Sequence, residues 1–141
     1  MIKLKNMIEI NNLTAEHIDE KLLKKIAEKV LKGEGKKASV SVAFINPKKM
    51  RELNREYRKK NKPTDVLSFS DGEKDFLGEI IICPKEVREN SKEFKSDFKK
   101  ELFSCLIHGI LHLLGYDHEK NEKRAEEMEK RQEHYLSQIK F

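Results

Sequence analysis

The first pattern along this chain is a row of apolar residues at four-residue steps between positions 18 and 30. Such a row places the apolar side chains on one face of an amphipathic helix. The side chain of Thr14 can cap the start of this helix. Gly33 and Gly35 can adopt the left-handed backbone conformation at which helices commonly end. The pattern therefore predicts a first helix that packs against a core by one face.

Further segments also have helical character. Asn46-Pro47 has the residue types of an N-cap and a first helical position, and Pro84 predicts the start of a short polar helix. Residues 97–114 are apolar on nearly every side beyond the first turn, so this helix is expected in the middle of the molecule. Residues 121–139 are highly charged with a narrow apolar stripe, which predicts a last helix on the surface.

Short apolar runs predict the strands. Residues 2–10 and 40–44 alternate between apolar and polar side chains, as half-buried strands do. Residues 66–69 follow a proline turn, and residues 77–83 form a continuous apolar run typical of a central strand. About four strands and four to six helices that do not alternate strictly predict an α+β fold. We expect a small mixed sheet packed with helices around the central helix of residues 97–114.

Length and composition predict a single domain over residues 1–141, long enough for a hydrophobic core. The most apolar segment is shorter than the roughly 20 residues that cross a bilayer, so no membrane partner is expected. The two cysteines form no CxxC motif, and together these features predict a cytoplasmic protein. The net charge of +5 mildly favours polyanionic partners. The sequence leaves the oligomeric state open.

Three of the five histidines lie within eleven residues, at His108, His112 and His118. His108 and His112 are four residues apart, so on a helix they share one face. Gly115 can end that helix and turn the chain, which allows His118 to return towards the same face. A single histidine in an apolar helix is more often a hydrogen-bonded core residue. Three converging imidazoles, however, are the ligand set of a catalytic zinc site.

The chemistry of three imidazoles favours one Zn²⁺ ion, with nickel, copper or cobalt as alternatives. Two unpaired imidazoles buried in so apolar a helix would destabilise the fold by about 1–3 kcal/mol each, and a metal would remove this penalty. The metal would also lower the pKa of a bound water towards about 7. Asp117, beside the third histidine, is expected either to orient a ligand from outside the coordination sphere or to cap the turn before the last helix.

The spacing H-x-x-x-H-x-x-G-x-x-H is also that of the metzincin proteases. In those enzymes a glutamate directly follows the first histidine and acts as general base. Here that position is Gly109, which cannot accept a proton. A zinc-dependent peptidase is therefore an alternative that lacks its main catalytic group.

A basic run covers residues 48–62, with eight cationic and two anionic side chains. Such runs are usually solvated helix faces. The cations are densest from Arg58 through Lys59, Lys60 and Lys62. An arginine at a helix end beside a metal can hold a phosphate through two hydrogen bonds and stabilise charge that develops on it. This combination predicts phosphodiester hydrolysis, with Arg58 as the catalytic residue and the three lysines as substrate contacts.

The chain also resembles the YbeY family of endoribonucleases, the ribosomal RNA maturation factors. The resemblance rests on L-N-R-E-Y-R at 53–58, K-P-T-D-V-L-S-F at 62–69, L-G-E-I at 77–80 and the three-histidine motif at 108–118. These motifs are specific because they occur together and in the same order. They imply an α+β fold with a small sheet and with helices around the metal-bearing helix.

The resemblance implies a bacterial, metal-dependent endoribonuclease specific for single-stranded RNA, and a functional role for Arg58. The implied zinc ligands are His108, His112 and His118. It further implies maturation of the 3′ end of small-subunit ribosomal RNA, ribosome quality control, and partners among ribosome-associated proteins. Glu79 and Asp117 are candidates for proton transfer, and metal-bound water and the ribose 2′-hydroxyl are both candidates for the nucleophile. A metal-stabilised module that binds RNA or the ribosome without turnover is the other alternative.

Overall fold

The computed structural model describes residues 7–73, 75–116 and 121–140. Within these ranges it has four strands and five helices. The strands are β1 (Ile8–Asn12), β2 (Ser39–Phe44), β3 (Val66–Ser70) and β4 (Phe76–Ile82). The helices are α1 (Glu20–Gly33), α2 (Pro47–Arg58), α3 (Pro84–Glu93), α4 (Phe98–Leu113) and α5 (Glu122–Ser137). The predicted α+β fold with a small mixed sheet is confirmed.

The strands form one sheet in the order β1-β2-β4-β3. β1, β2 and β4 run parallel, whereas β3 runs antiparallel to β4 and lies at an edge. β4 is therefore central, as its continuous apolar run predicted. Parallel neighbours need long connections between them. α1 lies in the connection from β1 to β2, and α2 and β3 lie in the connection from β2 to β4.

The two faces of the sheet are covered differently. Alternate residues of a strand point to opposite faces, so Ile80 and Ile82 of β4 join the main core with α1, α4 and α5. Ile81 points the other way and joins a smaller cluster with Met50 of α2 and Leu67 of β3. α2 therefore lies on the opposite face of the sheet from α4.

α4 is the central helix of the main core. It packs against α1, α3 and α5 and against strands β3 and β4. Its buried residues are Leu102, Phe103, Cys105, Leu106, Ile107, Gly109, Ile110, Leu111 and Leu113. This packing explains why the helix is apolar around most of its circumference, and that it bears a metal stays a prediction.

The start of α1 differs from the prediction. The helix begins at Glu20, and the side chain of Asp19 caps it by accepting a hydrogen bond from the backbone N–H of Leu22 at 3.2 Å. Thr14 instead donates its hydroxyl to the side chain of Asn12 at 2.7 Å, which fixes a turn directly after β1. The residues after this turn carry the chain from the sheet to the helix layer, so the cap lies further along than predicted.

Other element ends agree with the sequence. Asn46 caps α2 by accepting a hydrogen bond from the backbone N–H of Lys49 at 2.9 Å, and Pro47 is the first helical residue. Of the strand predicted over residues 2–10, the described part begins at Ile8, and residues 1–6 lie outside the described residues. No helix in the described ranges is both long enough and apolar enough to cross a bilayer.

Candidate active site

The first two histidines of the motif lie on a strip of α4 that is not buried. Ser104 and His108 are half-buried and His112 is exposed, whereas every other residue from 102 to 113 is buried. The three positions follow at four-residue steps and so form one line along the helix. We call this line, Ser104-His108-His112, the histidine strip. Because the rest of α4 is fixed in the core, the strip presents both imidazoles from a rigid support.

The expectation that both imidazoles are buried is wrong for His112. Its side chain is exposed, so the interior role that histidines usually have in apolar helices does not apply to it. The apolar character of α4 comes from the residues on either side of the strip. A penalty from two buried imidazoles therefore gives no argument for a metal, whereas the shared helix face does.

His108 is oriented by a residue of α5. Its Nδ1 lies 3.1 Å from Oε1 of Gln132. With the proton on Nδ1, this nitrogen donates to Gln132 and the lone pair is on Nε2, as in metal-binding histidines that are held by an outer partner. Sequence analysis missed Gln132. A signal was present, because position 132 is a polar member of the helix face that carries the buried residues Met128 and Tyr135.

The remaining residues of the predicted site, Asp117 and His118, lie outside the described residues. α4 ends at Leu113, and Gly115 has a φ of 105°. This positive φ agrees with the helix-ending role predicted for the glycine. Within the described ranges, no group of three His, Cys, Asp or Glu side chains could hold a metal ion. The three-histidine ligand set therefore stays a prediction.

A buried carboxylate anchors the chain just before that segment. Glu34, at the end of α1, accepts hydrogen bonds from the hydroxyl of Tyr116 at 2.7 Å and from that of Tyr135 in α5. Its side chain is 8% exposed, and the guanidinium of Arg131 lies 3.7 Å away. The bond to Glu34 and burial raise the pKa of Tyr116. Burial and the same carboxylate raise the pKa of Tyr135 to about 12. The chain leading to His118 is thus tied to α1 and α5 at Tyr116.

Gly109 lies against the sheet. A Cβ atom at this position would be 2.8 Å from Cγ2 of Ile80, closer than real Cβ atoms approach other atoms. α4 therefore crosses β4 at a distance that leaves no room for a side chain. A glutamate at the position where the metzincin proteases carry their general base would have to displace the side chain of Ile80. The peptidase alternative has no structural support at this position.

Arg58, the predicted catalytic arginine, is the last residue of α2 and is exposed. The chain then turns at Lys59, which has a left-handed φ of 60° and whose backbone N–H donates to the carbonyl of Asn54. Asn54 is 1% exposed, and its side-chain amide donates to the carbonyl of Lys62 at 2.8 Å. We call residues 59–62 the cationic turn. The three predicted substrate lysines are therefore exposed on one turn that a buried asparagine holds.

Helices α2 and α4 approach β3 from opposite faces of the sheet. Tyr57 of α2 contacts Phe69 of β3, with ring centroids 5.0 Å apart. On the other face, Sγ of Cys105 in α4 lies 3.7 Å from Oδ2 of Asp65, the residue before β3. Both helices therefore pack against the edge strand of the sheet.

Two other titratable residues lie near β3. Burial, followed by the charge of Asp65, raises the pKa of the Cys105 thiol well above its usual value, so the thiol stays protonated. Glu79 pairs with Phe69, whose side chain belongs to the cluster under α2. Paired residues point to the same face, so Glu79 lies on the opposite face from the histidine strip. It lies on the face that carries α2, and its role in proton transfer stays a prediction.

Comparisons with known proteins agree with one another. Residues 7–140 match the sequence profile of a family described as Endoribonuclease YbeY. A Thermotoga maritima protein named Endoribonuclease YbeY is 43% identical over 124 residues, which are 88% of this chain and 79% of that protein. A Chlorobium luteolum protein of the same name is 37% identical over 134 residues, which are 94% of this chain and 97% of that protein. The matched ranges include both the histidine strip and the cationic turn.

The fold has a solved counterpart as well. A solution structure of a Thermotoga maritima protein superposes with a TM-score of 0.70 at 42% identity. The superposition covers 93% of this chain and 87% of that one. The similarity therefore extends over the sheet and the helices rather than over one motif.

Proposed function

Because this chain belongs to the YbeY family of endoribonucleases, we propose that it is a metal-dependent enzyme that cleaves single-stranded RNA. Membership of this family supports the general activity, which is cleavage within an RNA chain. The histidine strip is the observation that supports metal dependence. It holds two imidazoles one turn apart, on the side of the core helix α4 that is not buried. The basic residues at the end of α2 support an RNA substrate.

The proposed metal ligands are His108, His112 and His118. Two features of the described residues fit this role: Gln132 orients the ring of His108 through Nδ1, and His112 is exposed rather than enclosed in the core. Zinc suits three imidazoles best, and cobalt, nickel or copper are the alternatives. When bound, the ion supplies positive charge that polarises the phosphate to be cleaved. Asp117 is proposed to orient a ligand imidazole from outside the coordination sphere.

Arg58 is proposed to hold the phosphate that is cleaved and to stabilise the charge that develops on it. Lys59, Lys60 and Lys62 of the cationic turn are proposed to contact neighbouring phosphates. Tyr57, two residues before the turn, and Cys105, next to the strip residue Ser104, contact the edge strand β3 and the residue before it from opposite faces. A flexible single strand can bend around such an edge, whereas a stiff duplex cannot, which supports a preference for unpaired RNA.

Two nucleophiles are compatible with this arrangement, and the products distinguish them. Attack by the neighbouring ribose 2′-hydroxyl leaves a 2′,3′-cyclic phosphate, whereas attack by water leaves a linear phosphate monoester. We therefore propose mass spectrometry of the cleaved ends as the test. Replacing one ribose by deoxyribose at the cleaved position stops the reaction in the first case and leaves it intact in the second.

We further propose that the natural substrate is ribosomal RNA in the cytoplasm, with small-subunit 3′-end maturation and ribosome quality control as the roles. The motifs shared with the YbeY family support this proposal, as does the net charge of +5. Ribosome-associated proteins are the proposed partners. Cells that lack the protein should accumulate small-subunit RNA with an extended 3′ end, and an Arg58→Ala copy should fail to restore the mature end.

The biochemical test compares Arg58→Ala with a matched control, Arg55→Ala. Both arginines are exposed and lie in the last turn of α2. We expect Arg58→Ala to lower kcat/KM for a single-stranded RNA by about 10²- to 10³-fold with unchanged zinc content. Arg55→Ala should cleave nearly as well as the wild type. A chelator should stop cleavage by all three proteins.

The alternatives give different results in the same assay. Digestion of casein without cleavage of RNA would indicate a peptidase and would refute the proposal. Tight RNA binding without cleavage, at full metal content, would indicate a binding module instead. Equal activity of the two arginine variants would remove Arg58 from the catalytic residues.

A further inference from the structure

We propose that Tyr57 is a stacking platform for an unpaired nucleobase of the RNA. The inference rests on the proposed function, because it names how the same site recognises its substrate. Its basis is the combination of an exposed aromatic ring, a second ring that braces it, and a turn of cationic residues that follows it in the chain and whose backbone is held by hydrogen bonds.

Tyr57 differs from the other two tyrosines of the chain. Tyr116 and Tyr135 donate their hydroxyls to the buried carboxylate of Glu34. Tyr57 is 59% exposed although it lies in the last turn of a helix next to a strand. A large aromatic ring left open to solvent at such a position is available for a ligand.

Phe69 braces the open ring. The two ring centroids are 5.0 Å apart, and the ring planes meet at 66°, an edge-to-face arrangement. Phe69 itself belongs to the cluster packed between α2 and the sheet. The Tyr57 ring is therefore supported from the core side, which reduces the entropy that a flexible side chain loses when it binds a ligand.

Cationic residues directly follow the ring along the chain. Arg58 follows Tyr57 directly, and the cationic turn begins at the next residue. Asn54 holds that turn through two hydrogen bonds. Its side-chain amide donates to the backbone carbonyl of Lys62, and its backbone carbonyl accepts from the N–H of Lys59. The positions of the lysine backbones relative to the ring are therefore fixed by buried hydrogen bonds. A phosphate backbone on the turn brings a base within reach of the ring.

This arrangement accounts for selection of unpaired RNA. Bases in a duplex are stacked on one another and offer no free face, whereas an unpaired base can stack on an aromatic side chain. Stacking is tolerant of base identity because every base has an aromatic face. Tyr57 should thus favour single strands over duplexes without imposing a strong sequence preference.

The chain contains no tryptophan, which allows a direct optical test. Tyr57→Trp creates a protein with one fluorophore at the proposed platform. We expect its fluorescence to be quenched when single-stranded RNA is mixed with it in a stopped-flow instrument, before cleavage occurs. Phe94→Trp is the matched control, because Phe94 is also an exposed aromatic residue, at 71%, but follows α3 rather than α2. The control should show little quenching.

Affinity measurements separate stacking from a merely structural role. Tyr57→Phe keeps the aromatic face and should bind single-stranded RNA as the wild type does. Tyr57→Leu should weaken binding and raise KM by about 5- to 150-fold, with a smaller change in kcat. An RNA of abasic sugars has no face to stack, so wild type and Tyr57→Leu should bind it equally. A structural role would instead weaken binding of the abasic RNA by the same factor.

The outcomes distinguish failure of this inference from failure of the proposed function. RNA cleavage by Tyr57→Leu with wild-type KM, or equal quenching of the two tryptophan variants, would overturn the stacking role and leave the endoribonuclease intact. Absence of RNA binding and cleavage by the wild type itself would overturn both.

Discussion

The histidine strip and the cationic turn lie on opposite faces of the sheet and are built in opposite ways. The strip runs along a helix whose other residues from 102 to 113 are buried. The cationic turn is exposed, and one buried asparagine fixes it through backbone and side-chain hydrogen bonds. The first region is held by the packing of its helix, and the second is held at one point while its lysine side chains are exposed to water.

The difference fits the two kinds of ligand proposed for these regions. A metal site requires imidazoles that are held in place, and a core helix supplies that rigidity. A flexible RNA backbone requires positive charge that adapts to several phosphate positions, and long exposed lysines supply it. The comparison predicts that changes in the strip act on metal binding and that changes in the buried residues beside it act on folding, whereas changes in the turn act on RNA affinity and its salt dependence.

The largest effect is expected for His112→Ala. Zinc affinity should fall by more than about 100-fold, since removal of even an outer-shell partner costs about 10- to 100-fold, and RNA cleavage should fall with it. Because His112 is exposed, the zinc-free variant should melt at the same temperature as zinc-free wild type. Ser104→Ala, on the same strip, is the control and should leave metal content unchanged. Full zinc content in His112→Ala, measured by elemental analysis, would refute the ligand assignment.

Gly109→Val tests the packing that makes the strip rigid. The added side chain meets Ile80, where even a Cβ atom would be 2.8 Å away. Overpacking of this kind destabilises a fold by about 1–3 kcal/mol, which exceeds the gain of a few tenths of a kcal/mol in helix propensity. Urea unfolding of the zinc-free proteins gives the free energy of unfolding. Ser104→Val is the matched control at a half-buried position of the same helix and should change it little.

Charge reversal of the cationic turn tests the second region. Lys59→Glu, Lys60→Glu and Lys62→Glu together should weaken RNA binding and flatten its salt dependence. Loss of three phosphate contacts should reduce the slope of log Kd against log salt by about 2. The same reversal at the exposed residues Lys21, Lys24 and Lys25 of α1 matches the change in net charge. Equal slopes for the two triple variants would place the RNA elsewhere.

The smallest effect is expected for the hydrogen bond between Tyr135 and Glu34, which should lose its contribution to stability at high pH. Burial and Glu34 raise the pKa of Tyr135 to about 12, above its unfolded value of about 10. The folded state therefore keeps a proton that the unfolded state loses. This contribution to stability is fully present below pH 10 and is lost as the pH rises towards 12. Tyr135→Phe should be less stable at neutral pH and should lose less stability over that interval in chemical unfolding; an identical loss would contradict the assignment.

The sequence predicted the elements that periodicity and caps determine. The apolar run over residues 77–83, the cap at Asn46 and the buried helix over 97–114 all correspond to elements of the structure. The cap at Thr14 was wrong because the side chain of Asn12 holds that residue in a turn. A local pattern shows that a helix starts nearby but does not show which of several polar residues begins it.

The site was less predictable because its support comes from residues distant in sequence. The bond between His108 and Gln132 joins two helices, and the bond between Tyr116 and Glu34 joins residues that are 82 positions apart in the sequence. No spacing rule connects such pairs. The exposure of His112 was readable in principle, because positions 104, 108 and 112 interrupt the apolar residues at four-residue steps.

The most direct test of the account is the metal content of the freshly purified protein, measured together with its activity on single-stranded RNA. We predict one zinc ion per chain, loss of RNA cleavage when a chelator removes the ion, and recovery when zinc is returned. A protein that holds no transition metal and cleaves single-stranded RNA at full rate would contradict the central claim that the histidine strip serves a metal-dependent nuclease.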